Sequence, residues 1–486
     1  MSTTTQDHSG GLARRSVSPL EVGAQSVANI APSAVIAFGP GVMAASAGNG
    51  AWFSFLIGTV TILLVALSVA SIARRRAGAG SLYVLVRPSL GPTGSFITGW
   101  ALFLGAVCIA SGSLAGAGFF ASQFLANLNV TLFTGTTGQI ILDAALLAVA
   151  VYLSITSVRL SARVSATLEV ISIAVIVVVL SIVLVKSGNV FDSNQLTLSG
   201  ATLDGIVFAV VLAILGFVGF ESAAALGEES QDPFRSIPRA VLGSAILAGI
   251  LYIFATYAQV AAFQGGAEKL AKSGSPMEDL ASHYGLSGFL PILNMGFTAS
   301  FFAVVAACIT VGSRLLFSWG NDGLVPAWFG KVHPEHRTPA HAVYTIVPLV
   351  IIPVIVVLMA GAAPLAATTY IDTVGVFGYM VAYILVCIAA PLFLKKVNAR
   401  GVATAWVIGL LGAASLVYVF YRNVLPVPPS PLNTLPYYFA AFLVVGTVAF
   451  LALKARKPDA AERAGTFADD APVAEVEPRS PEHVGP

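Results

Sequence analysis

Four carboxyl-bearing residues, Asp143, Glu169, Glu221 and Asp372, fall inside long apolar runs of this 486-residue chain. A charge in such a run is costly and usually faces a cavity or a partner. Glu221 stands out because it follows Gly216-Phe217-Val218-Gly219-Phe220, where two glycines interrupt the apolar pattern. It precedes Glu228 by seven residues, about 10 Å of helix rise. A carboxyl at that depth suits the uptake and release of a proton; its plainer use is a hydrogen bond that pins a half-helix to its neighbours. A second interruption, Asn29-Ile30-Ala31-Pro32-Ser33-Ala34, is followed by Gly39-Pro40-Gly41. In a bilayer, unpaired backbone groups persist only where they line a cavity or find partners, so breaks point at sites. The N–H groups and positive dipole end at Ala31, Pro32, Ser33 and Ala34 suit a carboxylate, and carbonyls freed around Leu215, Gly216 and Gly219 suit an ammonium. Together they describe an α-amino acid, with the Ser33 hydroxyl as an added donor and Phe217 and Phe220 as apolar caps. A serine bonded back to its own helix and aromatic rings that merely pack are the bland alternatives.

The remaining polar residues are read more cautiously by depth. Glu169 falls near the cytoplasmic face, where a pair with Arg159 or Arg163, or snorkelling, accounts for it. Asp143 and Asp372 fall near the outer face and are expected to reach water. Arg239 and Arg314 lie at helix ends beside Glu228, Glu229, Asp232 and Asp322, where they could form an inner ionic gate or serve only as topological charge. Thr310 and Ser313 could lend hydroxyl oxygens to sodium, though a hard cation needs about five or six. Gly112 and Gly116 form a small face for close packing within the bundle. The six histidines lie in tails, loops or at a helix edge, and the three cysteines lie in apolar segments without metal spacing, so neither a metal nor a cofactor is expected.

The elements that must position these residues follow from composition. With 57% hydrophobic and 10% charged residues, against about 25% charged in a soluble domain, the lipid bilayer is the solvent. A net charge of +2 gives no footprint for nucleic acid, and no G-x-x-x-x-G-K-[ST] occurs to energise transport with a nucleotide. Apolar runs of about twenty residues predict twelve transmembrane helices at 22–46, 51–72, 94–122, 138–157, 164–186, 204–227, 239–263, 287–315, 341–361, 368–394, 403–421 and 436–454. Placing the N-terminus inside puts 21 of the 25 Lys and Arg on the cytoplasmic side, so both termini are expected there, in the inner membrane. Residues 1–18 and 457–486 read as disordered cytoplasmic tails around a transporter domain, 19–456.

Because the breaks fall in spans one and six, the chain divides into two five-helix repeats, and an odd repeat length inverts topology. It resembles the amino acid-polyamine-organocation permeases through Ala79-Gly80-Ser81-Leu82-Tyr83, Leu90-Gly91-Pro92 and Gly99-Trp100. Gly219-Phe220-Glu221-Ser222 followed by Glu228-Glu229-Ser230-Gln231-Asp232-Pro233 and Ile237-Pro238-Arg239-Ala240, then Ser313-Arg314-Leu315-Leu316, Asn321-Asp322-Gly323 and Pro326, extend the likeness over roughly residues 20–455. Two departures stand out: Arg74-Arg75-Arg76 replaces a proline that often precedes Ala79, and span five offers Val175 or Ile176 where some proton-coupled relatives carry a lysine. The resemblance implies an all-α integral membrane protein with a LeuT-like five-plus-five inverted repeat, helices one and six broken, and two appended helices.

These expectations converge on a secondary permease for amino acids or related amines, working by alternating access with proton coupling through Glu221 or by exchange. A polyamine permease and a non-transporting sensor of the same fold are the alternatives. With Glu221 the pocket's only fixed acid, neutral amino acids are favoured. A channel lacks its rings of charge or carbonyls, and an intramembrane enzyme lacks a histidine at depth to activate a nucleophile. Oligomeric state is not legible.

Overall fold

The computed structural model describes Leu12 and residues 15–156, 158–425 and 430–466, without the side chains of residues 157–162, 165 and 211. Among the described residues, ten helical stretches are long and apolar enough to cross a bilayer. One of them, Pro19–Ala73, is long enough for two crossings, and the shorter Leu203–Leu215 is half of a broken one, so the described residues offer the twelve crossings that the apolar runs predict. In chain order these are α1 (halves α1a, Pro19–Ile30, and α1b, Pro32–Ala47), α2 (Ala51–Ala73), α3 (Leu82–Asn127), α4 (Thr136–Thr156) and α5 (Val158–Lys186). There follow α6 (Leu203–Leu215 and the irregular 216–226), α7 (Pro233–Ala262), α8 (Leu290–Asp322), α9 (Ala340–Met359) and α10 (Pro364–Lys396). The last two are α11 (Val402–Val424) and α12 (Leu435–Arg456).

Packing repeats under a shift of five helices. The pair α3–α4 recurs as α8–α9, α3–α10 as α8–α5, α3–α9 as α8–α4, and α1a–α7 as α6–α2, while α2–α7 and α3–α8 map onto themselves. Two equivalent five-helix units, interlocked about one axis, produce this pattern. The units meet at α3 and α8, whose most apolar windows are 83% and 78% buried, against 28% and 17% for α11 and α12, which lie on the rim. Burial on every side requires close approach, and small residues permit it. Gly112 lies against Asp372 and the Thr368 carbonyl of α10, and Gly116 against Phe301 of α8, so this face packs within the bundle as expected.

Asp143 and Asp372 are not at the water boundary. Both are buried, Asp143 against Gly118 of α3 and Asp372 against Gly112. Their position along the helix was legible, but the face they point to was set by the glycines opposite.

Apart from Gly219-Phe220-Glu221-Ser222, which lies at the α6 break, the motifs that carry the family likeness converge at the arginine-rich end of the bundle. Gly91 divides α3 at φ 68°, ψ −172°, a conformation open to glycine. This bend brings Ser95 Oγ to donate to the Tyr83 carbonyl at 2.5 Å, and the Tyr83 ring lies against Gly99. The Tyr83 hydroxyl donates to Asp322 at the end of α8, and Gly323 closes that helix at φ 79°. Parts of both segments expected as tails lie against this end. The Val17 N–H donates to Glu229 O and the Gln231 N–H to Val17 O, each at 2.9 Å. After the short helix Pro458–Glu462, the Gly465 N–H donates to Tyr83 Oη at 2.6 Å and to Asp322 Oδ2 at 2.9 Å. Residues 1–11, 13–14 and 467–486 lie outside the described residues.

Candidate functional site at the paired helix breaks

The break in α1 follows from Pro32. Proline has no N–H to continue the ladder and drives the preceding residue out of the helical region. Ala31 takes φ 48°, ψ 65°; its N–H closes α1a on Val27 O, and its carbonyl opens α1b by accepting from Val35. The first two N–H groups of α1b are both satisfied by distant side chains. Ser33 N–H donates to Glu169 Oε1 of α5 at 2.9 Å, and Ala34 N–H donates to Ser300 Oγ of α8 at 3.1 Å. Glu169 therefore turns to α1b and not to Arg163. Arg163 pairs instead with Glu21 of α1a at 2.5 Å, while the Arg159 side chain is outside the described residues.

In α6 the helix ends at Leu215, the chain turns through 216–221, and a 3₁₀ turn follows over Ser222–Leu226. Gly219 adopts φ 97°. A β-carbon there would stand 2.5 Å from Asn29 Nδ2, so α1a approaches α6 as closely as a residue without a side chain permits. The freed carbonyls are capped by neighbours: Gly216 O accepts from Tyr252 Oη of α7 at 2.6 Å, Gly219 O from Asn29 Nδ2 at 3.4 Å, and Phe220 O from Ser26 Oγ at 2.7 Å. On the far side Tyr383 of α10 receives the Gly219 N–H at 3.1 Å and donates to Glu221 Oε2.

The two interruptions thus meet as expected, with Gly216 facing Val35 one turn into α1b. Ala31, Pro32, Ser33 and Ala34 lie on one side, and Leu215, Gly216, Phe217, Gly219, Phe220 and Glu221 on the other. Phe217 packs edge-on against Tyr252 at 5.2 Å and Phe220 lies tilted against Tyr383 at 5.1 Å, both fully buried. Ser33 Oγ, Glu169 Oε2 and Glu221 Oε1 are buried without a hydrogen bond of normal geometry. In this conformation, protein side chains satisfy most of the backbone groups that the two breaks set free.

Residues the sequence did not place in the site complete it: Glu169, which was assigned to the cytoplasmic face, with Ser300, Tyr252, Tyr383 and, through Asn29, Cys308, whose thiol donates to Asn29 Oδ1 at 3.0 Å. Tyr379 and Tyr383, one helical turn apart in an apolar run, were the available signal. Thr310 and Ser313 turn inward to their own helix, bonding Ala306 O and Thr310 O at 3.0 and 3.1 Å. Beneath the site at the arginine-rich end, Arg314 makes a buried two-pronged pair with Glu229, at 2.7 and 2.8 Å. Arg239 is not in that pair; it lines an apolar groove between α1a, α5 and α7.

Comparison with known proteins agrees with this geometry. The "Amino acid permease" family matches residues 21–459. A branched-chain amino acid permease, BcaP, of Bacillus subtilis is 28% identical over 338 residues, 66% of this chain and 71% of that protein. Its Lactococcus lactis namesake is 29% identical over 324 residues, 63% and 68% of the two chains. The low-affinity putrescine importer PlaP of Escherichia coli is 26% identical over 297 residues, 59% and 63%. With the family matched across nearly the whole helical bundle, which is broken in its first and sixth spans, this chain belongs to the amino acid permease family of membrane transporters.

Proposed function

We propose that this chain is a secondary permease that carries amino acids or related amines across the cell membrane by alternating access, coupled to protons or to exchange. The observation that carries this reading is the meeting of two half-helix ends in a buried polar space between the repeats, with Ala31 at φ 48° and Gly219 at φ 97°. Helix ends of this kind bind the charged groups of small zwitterions at the midplane of inverted-repeat transporters. The names of the branched-chain relatives support a neutral, aliphatic substrate. A second reading, a diamine, is supported by two buried acids beside the breaks, Glu169 and Glu221, where one was expected, and by the putrescine importer among the relatives. Proteoliposome uptake of labelled leucine, valine and putrescine, with and without imposed ion gradients, separates the two. Saturable uptake of none of them by well-inserted protein would overturn both.

Glu221 is the proposed coupling acid. Glutamine keeps its shape and can still accept from Tyr383, but it cannot titrate. Glu221→Gln is expected to retain substrate binding, lose accumulation driven by a pH gradient and flatten the pH dependence of exchange. Wild-type accumulation by the variant would make Glu221 structural.

Both termini are proposed to be cytoplasmic, on the bias of Lys and Arg to one end. Reporter fusions at Arg76, Arg235, Glu335 and Arg456 are expected inside, and at Gly188 and Gly274 outside. A single fusion on the wrong side would force a recount.

A further inference from the structure

The N-terminus of α1b, the natural seat of a substrate carboxylate, already holds a carboxyl of the protein. Pro32 has no N–H, so Ser33 and Ala34 supply the first donors of this 16-residue helix, and Glu169 Oε1 takes the first at 2.9 Å. Glu169 lies 136 residues away in sequence, on another helix, so this is no local cap. It is fully buried, forms no ion pair among the described residues, and lies against the Ser33 and Ser300 hydroxyls, with Oε2 and Ser33 Oγ outside normal hydrogen-bond geometry. Such a cradle has more hydrogen-bonding capacity than its present occupant uses.

We propose that Glu169 is a tethered stand-in for the substrate's carboxylate: it caps the empty site, is displaced when a carboxylate-bearing substrate arrives, and leaves that cap carrying a proton. The inference rests on the permease reading and adds a second acid to Glu221. The arriving carboxylate takes the Ser33 N–H and, with its second oxygen, the Ser33 hydroxyl that now faces Glu169. A tethered group competes at a fixed local concentration, so the substrate must outbid it and true affinity is masked.

The proton follows from what surrounds Glu169. An ionised carboxyl removed from its N–H partner into an apolar bundle is an uncompensated buried charge. Tyr252 of α7 is the titratable side chain facing it, and its hydroxyl is committed to Gly216 O. Elsewhere on the elements packed against α5, Glu21 of α1a is held by Arg163, Asp143 of α4 packs on Gly118, and Arg314 of α8 is held by Glu229. Arg235 and Arg239 of α7 line the outer groove with Thr167 and Val170, on the exposed face of α5. With no cation among these groups to receive the displaced carboxylate, one proton enters from the water on the side from which the substrate came. An amine that lacks a carboxylate leaves Glu169 in place and draws no such proton.

The test measures binding of leucine, and of isoamylamine, its decarboxylated counterpart, to the full chain in nanodiscs. In the wild type, leucine binding is expected to tighten by up to about tenfold per pH unit from about pH 8 to about pH 6, as one linked proton requires. Glu169→Gln is expected to remove that slope and to bind leucine at least about tenfold tighter than wild type at about pH 8, because a neutral amide competes less well for the helix end. Isoamylamine is expected to show neither effect. A folded Glu169→Gln variant that binds leucine more weakly, or that keeps the pH slope, overturns the proposal. Should the variant fail to fold, the leucine-minus-empty infrared difference spectrum of wild type decides: a new protonated-carboxyl band that shifts in Glu169→Asp is expected, and leucine binding without that band overturns the proposal. If the wild type binds neither compound at any pH, the permease reading itself falls and this inference with it.

Discussion

Gly219→Val is expected to abolish substrate binding, by more than about 100-fold or about 2.7 kcal/mol, while the protein still inserts and stays monodisperse in detergent. Two costs act together. At φ 97° a β-branched residue is an outlier, and left-handed backbone alone costs about 1–2 kcal/mol. The added carbon would also stand 2.5 Å from Asn29 Nδ2 and 2.6 Å from Asn29 Cγ. Asn29 cannot simply retreat, because it is held between the Gly219 carbonyl and the Cys308 thiol. The α6 turn must therefore move away from α1a, and the Gly219 N–H loses Tyr383, which also holds Glu221. Gly219→Ala meets the same atoms without the branch and is expected to bind detectably but more weakly. Equilibrium binding alongside size-exclusion profiles checks both variants. Unchanged affinity in Gly219→Val would remove α6 from the pocket.

Arg314→Ala is expected to destabilise the protein by about 3–5 kcal/mol, the cost of leaving a buried charge without its partner. Arg314 and Glu229 have side chains only 2% and 3% exposed, so solvent does not replace the lost partner. The pair ties α8 to the segment after α6, and the Glu229 carbonyl also receives the Val17 N–H, so the loss spreads to the start of α1a. Removing both charges should cost less than removing one, so the Glu229→Ala/Arg314→Ala double variant is expected to be more stable than either single variant. Arg314→Lys keeps the charge but cannot reproduce the planar two-pronged geometry, and is expected to fall between wild type and Arg314→Ala. Thermal unfolding in detergent across this cycle measures the coupling. A single variant within about 1 kcal/mol of wild type, the range of exposed pairs, would show that the pair does not seal this end.

Much of the architecture was legible one residue at a time. A bilayer demands runs of about twenty apolar residues, so counting them located the crossings, most ends within a few positions but the start of α3 at Leu82 against an expected 94. Proline and glycine act locally on the backbone, so Pro32 and Gly219 disclosed both breaks, and their spacing by five helices disclosed the repeat. Gly112 and Gly116 announced a close-packed face. Longer helices differed at their ends: α8 runs on to Asp322 where apolarity alone stopped at 315, because Tyr83 and Gly465 receive Asp322 out of water.

What the sequence by itself determined, then, is depth and discontinuity, properties of the chain in a lipid solvent. Only the tertiary structure decided azimuth and partnership. Glu169 had the right depth to meet Arg163, but its face of α5 turns inward to Ser33, while Arg163 reaches Glu21. Asp143 and Asp372 had the depth to meet water, yet glycines across α3 admit them to the interior. Glu221 was visible as a buried acid, but Tyr383, 162 residues later, was not. The physical reason is common to all three. Burial in lipid is a one-dimensional condition that each segment satisfies alone, whereas a hydrogen bond between helices depends on the rotation and approach of two segments, which their packing sets jointly.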